Sequence, residues 1–250
     1  MRRSLVAIVA IATVLAATPA RAWAPDVRSA EGYIATRAGS VSFSIIGPRG
    51  GTYSYRASTE VAAASVLKVM FMVAYLRRIG DRALTDADRA LLGPMIRRSD
   101  NVAATRIDDM LGPRPMYRLA RDAGMHHFHF VSHPWGNSTV TAGEQARFMY
   151  RLEDYIPDRH EAYARFLLSH ITPSQRWGIG RIDRPNWRIF FKGGWGSGTG
   201  SVEHQVAFLE RGDLRIAAAV MITGSPSHDY AKQTLFGVFD RLLRDLPKPA

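Results

Sequence analysis

Ala64-Ser-Val-Leu-Lys-Val-Met-Phe-Met-Val-Ala-Tyr-Leu-Arg-Arg78 is the stretch on which the reading of this chain turns. It has the length and composition of a helix, and it is apolar on nearly every side from Val66 to Leu76. A helix with no polar face belongs in the interior of a core. Its interior holds one charge, Lys68, three residues after Ser65 and so on the same helical face. Two readings stand for the pair. Ser65 is a cap and Lys68 snorkels to solvent, or Ser65 is a nucleophile and Lys68 its base. The snorkelling reading fits poorly in a helix without a polar side. A buried lysine loses hydration, which lowers its pKa and lets it accept a proton. A serine hydroxyl becomes nucleophilic when such a base takes its proton.

Composition supports the second reading. The chain has 250 residues and 33 lysines and arginines, and only Lys68, Lys192, Lys232 and Lys248 are lysine. Where positive charge alone was needed, arginine was used. Arginine does not give up its proton, so a lysine retained in an apolar setting points to a task arginine cannot perform. The formal charge of +11 is spread along the chain with no basic cluster. It suggests attraction to an anionic envelope, or composition alone, and no nucleic-acid partner is expected.

The first residues read as a leader. Arg2 and Arg3 form a basic start, Leu5 to Ala17 is apolar, and Ala20-Arg-Ala-Trp-Ala24 offers small-x-small cleavage sites. This is the layout of a signal peptide over 1–24. Export to the periplasm or the medium is expected, with no later membrane span. The chain has no cysteine, so disulfides, a lipidated cysteine and Cys-based metal sites are excluded. No metal or cofactor is expected.

Outward from the central helix, Val41–Ile46 and Thr52–Arg56 read as a hairpin around Pro48-Arg-Gly-Gly51. Helices are expected from Thr85 to about Arg98, with Gly93-Pro94 as a candidate break, then to Leu111, from Pro115 to Ala123, from a capping box at Thr141–Glu144 to Leu152, and from Arg159 to His170. Strand signals return at Trp187–Lys192, before a glycine-rich turn, and at Glu203–Glu210 and Leu214–Ile222. A last helix runs from Ser227 to Leu246. Strands grouped at the two ends with helices between them indicate an α+β fold. One domain over 25–250 is expected. Its antiparallel sheet of about five strands would come from 40–60 and 185–250, and its helical subdomain from 61–180.

Two further motifs follow the Ser-x-x-Lys pair. Ser99-Asp-Asn101 lies at a helix–helix turn, where such residues also serve as plain caps. Lys192-Gly-Gly194 ends an apolar strand. It reads either as an exposed strand-end lysine or as a cation for a substrate carboxylate, with glycines that let substrate lie along the strand edge.

In this order and setting, the three motifs resemble the class A serine β-lactamases and the related penicillin-binding D,D-peptidases. The resemblance extends from about residue 40 to 245. It implies an acyl-enzyme on Ser65, with Lys68 as base or proton shuttle and Ser99 passing a proton to the leaving nitrogen. Lys192 would neutralise the site, and Asn101 would hold the substrate's amide. The oxyanion hole would be the N–H groups of Ser65 and Trp195. The implied substrate is a β-lactam or a D-alanyl peptide, handled by a monomer.

Three departures stand out. Gly193 replaces the usual hydroxyl of the third motif, a role left to Ser197 or Thr199. The interval from Ser65 to Ser99 is shorter than the family's. The family also carries a Glu-x-x-x-Asn loop whose glutamate activates the deacylating water. The matching stretch here, Met125 to Val140, contains no acid, and Glu144 just beyond it belongs to the capping box. His126, His127, His129 and His133 lie there instead, as loop or core residues, a substitute base or, for His127 and His129, metal ligands.

Overall fold

The computed structural model describes residues 23–196 and 201–247. Helix α1 (Val27–Ala35) precedes strands β1 (Ser40–Ile46), β2 (Thr52–Tyr55) and β3 (Glu60–Ala62). A single 3-10 turn at Ala64–Val66 opens α2 (Leu67–Ile79), which is followed by α3 (Asp86–Arg97), α4 (Asn101–Leu111) and α5 (Pro113–Asp122). Then come β4 (Thr139–Thr141), α6 (Ala142–Tyr150) and α7 (Asp158–Ser169). Strands β5 (Arg188–Trp195), β6 (Val202–Arg211) and β7 (Leu214–Thr223) lead to α8 (His228–Leu242).

β1, β2 and β5–β7 form one antiparallel sheet in the order β2-β1-β7-β6-β5. The α+β class and the five-stranded sheet flanked by helices are as the sequence indicated. β1 is buried from Val41 to Ile46 and β7 from Ile216 to Ile222. Strands buried at consecutive positions need cover on both faces, and α6 on one side and α8 with α1 on the other supply it. α2 is buried without interruption from Leu67 to Leu76 and packs against α3, α4 and α5. Its all-round apolarity is thus explained by position, and Lys68 is carried into the interior with it.

Several elements differ from the sequence reading. α1, β3 and β4 had no expectation. α1 buries only Ala30 and Ile34, too little for a visible stripe. β3 and β4 have three residues each and pair with one another, so no alternation could reveal them. Helix α3 continues through Pro94, because the proline falls in its last turn. The Pro94 carbonyl accepts from both Arg98 N and Asp100 N, which turns the chain into Ser99–Asn101. No glycine turn follows Lys192, since β5 continues through Gly193 and Gly194 to Trp195, paired with β6 throughout. The expected signal peptide over 1–24 lies, apart from its last two residues, outside the described residues. Among the described residues no helix is long and apolar enough to cross a membrane.

α1 docks on α8 through Tyr33, which lies directly over Gly237 and under the Arg241 guanidinium. A Cβ on Gly237 would enter the Tyr33 ring. Alanine for glycine favours an isolated helix by about 1 kcal/mol, whereas overpacking costs about 1–3 kcal/mol. Gly237→Ala should therefore lower stability in urea denaturation, by up to about 2 kcal/mol. A stabilised variant would contradict this docking.

Candidate active site

The turn that presents Ser65 is fixed from two sides. Ala63 N donates to Ser138 O at 2.7 Å, and His204 Nε2 meets Ala62 O at 2.9 Å. Ala64, immediately before Ser65, has φ +46. Ser99 has φ +58. Left-handed backbone at a residue with a side chain costs about 1–3 kcal/mol and persists where surrounding structure enforces it. Ala64 and Ser99 flank one small group of side chains.

That group centres on the Lys68 amine. Lys68 is fully buried. Its Nζ lies 3.0 Å from Ser65 Oγ, 3.0 Å from Ser99 Oγ, 2.6 Å from the Ser99 carbonyl and 2.7 Å from Asn101 Oδ1. An ammonium has three hydrogens to donate, and four oxygens surround this nitrogen. In the neutral amine two hydrogens serve two oxygens, and the lone pair is free to accept a hydroxyl proton. Burial lowers the Lys68 pKa from 10.5 to about 7, against the opposing pull of the Asp100 carboxylate. Near neutral pH a large share of Lys68 is therefore a base in contact with Ser65.

The second lysine meets the first across one hydroxyl. Lys192 is fully buried on β5 and donates to Ser99 Oγ at 2.9 Å and to the Gly193 carbonyl at 2.6 Å. Burial pushes its pKa well below 10.5, and the neighbouring Lys68 charge pushes in the same direction. Ser99 Oγ thus bridges two nitrogens, the geometry of a proton relay. The loop holding Ser99 is set by the Pro94 carbonyl on one side. On the other, Asp100 caps α4 by accepting from Ala103 N at 2.9 Å.

The two glycines of β5 act by absence of side chain. A Cβ on Gly194 would lie 2.7 Å from Val66 N and 2.9 Å from Ser65 N. Any other residue would push the strand off the nucleophile turn. A Cβ on Gly193 would lie 2.9 Å from the Trp177 ring, which stands where a hydroxyl-bearing side chain would otherwise project. Trp177 is held in turn by Gln205, whose Nε2 donates to the Trp177 carbonyl and whose Oε1 accepts from Ile179 N, both at 2.8 Å. Trp195 follows on the same strand, beside Trp177 and His228. Ser197 and Thr199 lie outside the described residues.

The structure thus brings Ser65, Lys68, Ser99, Asn101, Lys192 and Gly194 together. It does not bring the loop histidines there. All four are exposed. His127 Nδ1 contacts Glu144 at 2.9 Å, and His133 Nε2 contacts Asp109 at 3.2 Å. Glu144 also accepts from His126 N and His127 N. Thr141 caps α6, yet Glu144 does not return the bond, so the expected capping box is half formed and its acid ties down the loop instead. Among the described residues no three His, Asp or Glu side chains converge as metal ligands.

One residue of the site was not singled out in the sequence. Trp135 is buried, and its ring centre lies 4.9 Å from Lys68 Nζ. Its Nε1 donates to Thr105 Oγ1 at 3.2 Å, and the ring stands edge-on to Phe71 at 5.8 Å. Its setting between Pro134 and Gly136 carries no periodic signal that could have marked it.

The buried amine has a thermodynamic consequence. Unfolded Lys68 titrates near 10.5 and folded Lys68 near 7. At or below pH 7 both states are protonated and folding bears the full penalty of the buried ammonium. The penalty fades as pH rises from 7 to 10.5. Relative to the parent, Lys68→Met should therefore be most stabilised at pH 6–7, by an amount that shrinks by a few kcal/mol toward pH 10. Denaturant titrations across this range check it, and a pH-independent difference would contradict it.

The residues 88–242 match the model of the "Beta-lactamase enzyme family". Solved structures share the fold at low sequence identity. A β-lactamase from Sphaerobacter thermophilus aligns with a TM-score of 0.77 and 21% identity, over 90% of this chain and 98% of that one. A β-lactamase from Xanthomonas campestris gives 0.76 and 16%, over 88% and 97%. A class A β-lactamase from Mycobacterium abscessus gives 0.74 and 19%, over 88% and 98%. No curated protein matches. With a family match over more than half its length and this fold around a Ser-Lys pair, the chain belongs to the β-lactamase enzyme family.

Proposed function

We propose that the protein is an exported serine hydrolase that opens β-lactam amides through an acyl-enzyme on Ser65. The observation that carries this is the 3.0 Å contact between Ser65 Oγ and a fully buried Lys68 amine. Neutral Lys68 takes the Ser65 proton as Oγ attacks the amide carbon. The developing oxyanion faces the N–H groups of Ser65 and Trp195. Ser99, in contact with both lysines, passes a proton to the leaving nitrogen. Lys192 supplies positive charge for a substrate carboxylate, with Ser197 or Thr199 as hydroxyl partner. Asn101, Gly193 and Gly194 line the path of the substrate. No metal or cofactor has a part. The basic, then apolar, N-terminal segment supports export to the periplasm or medium, and the enzyme acts as a monomer.

A second reading is favoured by one observation: no carboxylate hydrogen-bonds Ser65, Lys68, Ser99 or Lys192 among the described residues. A site without an acid to activate water suits a D,D-peptidase, another wall-directed or ester hydrolase, or a wall-binding or sensor domain that acylates and stops.

Mixing the protein with a chromogenic β-lactam, with turnover and intact mass both followed, tests the first half-reaction. A mass adduct or turnover is expected, and both should vanish in Ser65→Ala. Lys68→Arg, charged at all accessible pH, should acylate about 10²–10⁴-fold more slowly. Acylation of Ser65→Ala would remove Ser65 as nucleophile, and parent-like acylation of Lys68→Arg would remove Lys68 as base.

A further inference from the structure

Hydrolysis of the Ser65 ester adds water across it. A bond forms between the water oxygen and the acyl carbon, the bond from Oγ breaks, water gives up one proton, and Oγ takes one back. A base must therefore stand where it can reach a water beside the ester.

Among the described residues, three walls stand around Ser65 and Lys68. Ser99 and Asn101 form the first, and their side chains are already engaged by the Lys68 amine. Lys192 and Gly194 on β5 form the second, with Lys192 turned to Ser99 and the Gly193 carbonyl. The turn Trp135–Asn137 forms the third. Its Gly136 packs so close that a Cβ there would lie 3.6 Å from Ala64 Cα. This wall offers an indole, a glycine and an exposed amide, none of which takes a proton from water. Lys68 itself is shut in by four oxygens and the indole face. The indole is held at one edge by Thr105 and packs in a T-shaped contact with Phe71.

We infer that Trp135 sets the lifetime of the acyl-enzyme. Its ring occupies the wall from which a base could bring water to the Ser65 ester, so acylation outruns hydrolysis and the protein holds its acyl group. This inference rests on Ser65 being the acylated residue. Trp135 acts through the space it fills beside Lys68, as a positioning residue.

The test follows the decay of the adduct formed with a chromogenic cephalosporin, by intact mass after removal of free substrate. The parent should accumulate a persistent adduct. Trp135→Glu places a carboxylate in that wall and should speed decay about 100-fold. Trp135→Ala opens a cavity beside Lys68, and added formate should speed decay of its adduct while leaving the parent's unchanged. A purely structural role for Trp135 gives no formate response. Thr105→Val loosens the indole without touching the core and should let added formate speed the adduct's decay severalfold, which keeps the inference testable if both Trp135 variants unfold. Folded Trp135 variants with parent-like decay and no formate response would overturn it, as would a Thr105→Val adduct indifferent to formate or a parent that turns over without accumulating one. A parent with neither adduct nor turnover overturns the Ser65 reading itself, an outcome distinct from a stable adduct indifferent to Trp135.

Discussion

An amine held out of water three residues from a serine is the constraint around which this protein is arranged. In water Lys68 would be an ammonium at any physiological pH. Inside α2, with ten successive buried residues from Leu67 to Leu76, it loses the hydration that favours its charge. The helix supplies the dry surroundings, and its first turn supplies the serine. Neither works without the other. An exposed lysine would stay protonated, and a serine elsewhere on the helix would face no base.

The rest of the site follows from keeping that amine neutral yet surrounded by oxygen. Ser99 is forced into left-handed backbone so that its carbonyl and hydroxyl both reach Lys68. Lys192 reaches the same hydroxyl from the sheet, and the Lys68 charge disfavours that of Lys192. Gly194 lets β5 lie against the backbone of Ser65 and Val66. Trp135 covers the amine where no polar residue does. The family match places this chain in the β-lactamase enzyme family, and the shared fold is the frame in which the indole wall stands.

Much of this was legible in the residues. The unbroken apolarity of 66–76 and the scarcity of lysine marked Lys68 as buried and special, and three motifs in order pointed to the fold and to the group of side chains that the structure brings together. What stayed hidden has physical causes. β3 and β4 are three-residue strands that exist only as each other's partner, and α1 buries too few side chains to show a stripe. The glycines after Lys192 read as a turn by composition, whereas the close approach of β5 to the nucleophile turn makes them strand residues. Pro94 read as a possible break, yet in a last turn it costs the helix little and redirects the chain toward Ser99. The role of Trp135 depends on a loop folding back onto α2, which no local pattern encodes, and the loop histidines drew attention through a chemistry their exposed positions do not use.

Burial draws the Lys68 pKa down to about 7, which puts a large share of the amine in the neutral form near physiological pH. With four lysines in the chain, selective ¹³Cε/¹⁵Nζ-lysine labelling gives an NMR titration in which each amine can be assigned by substitution. Lys68 is predicted to titrate near pH 7, well below the ordinary lysine value of 10.5. A Lys68 resonance that stays fully protonated through pH 9 would contradict it.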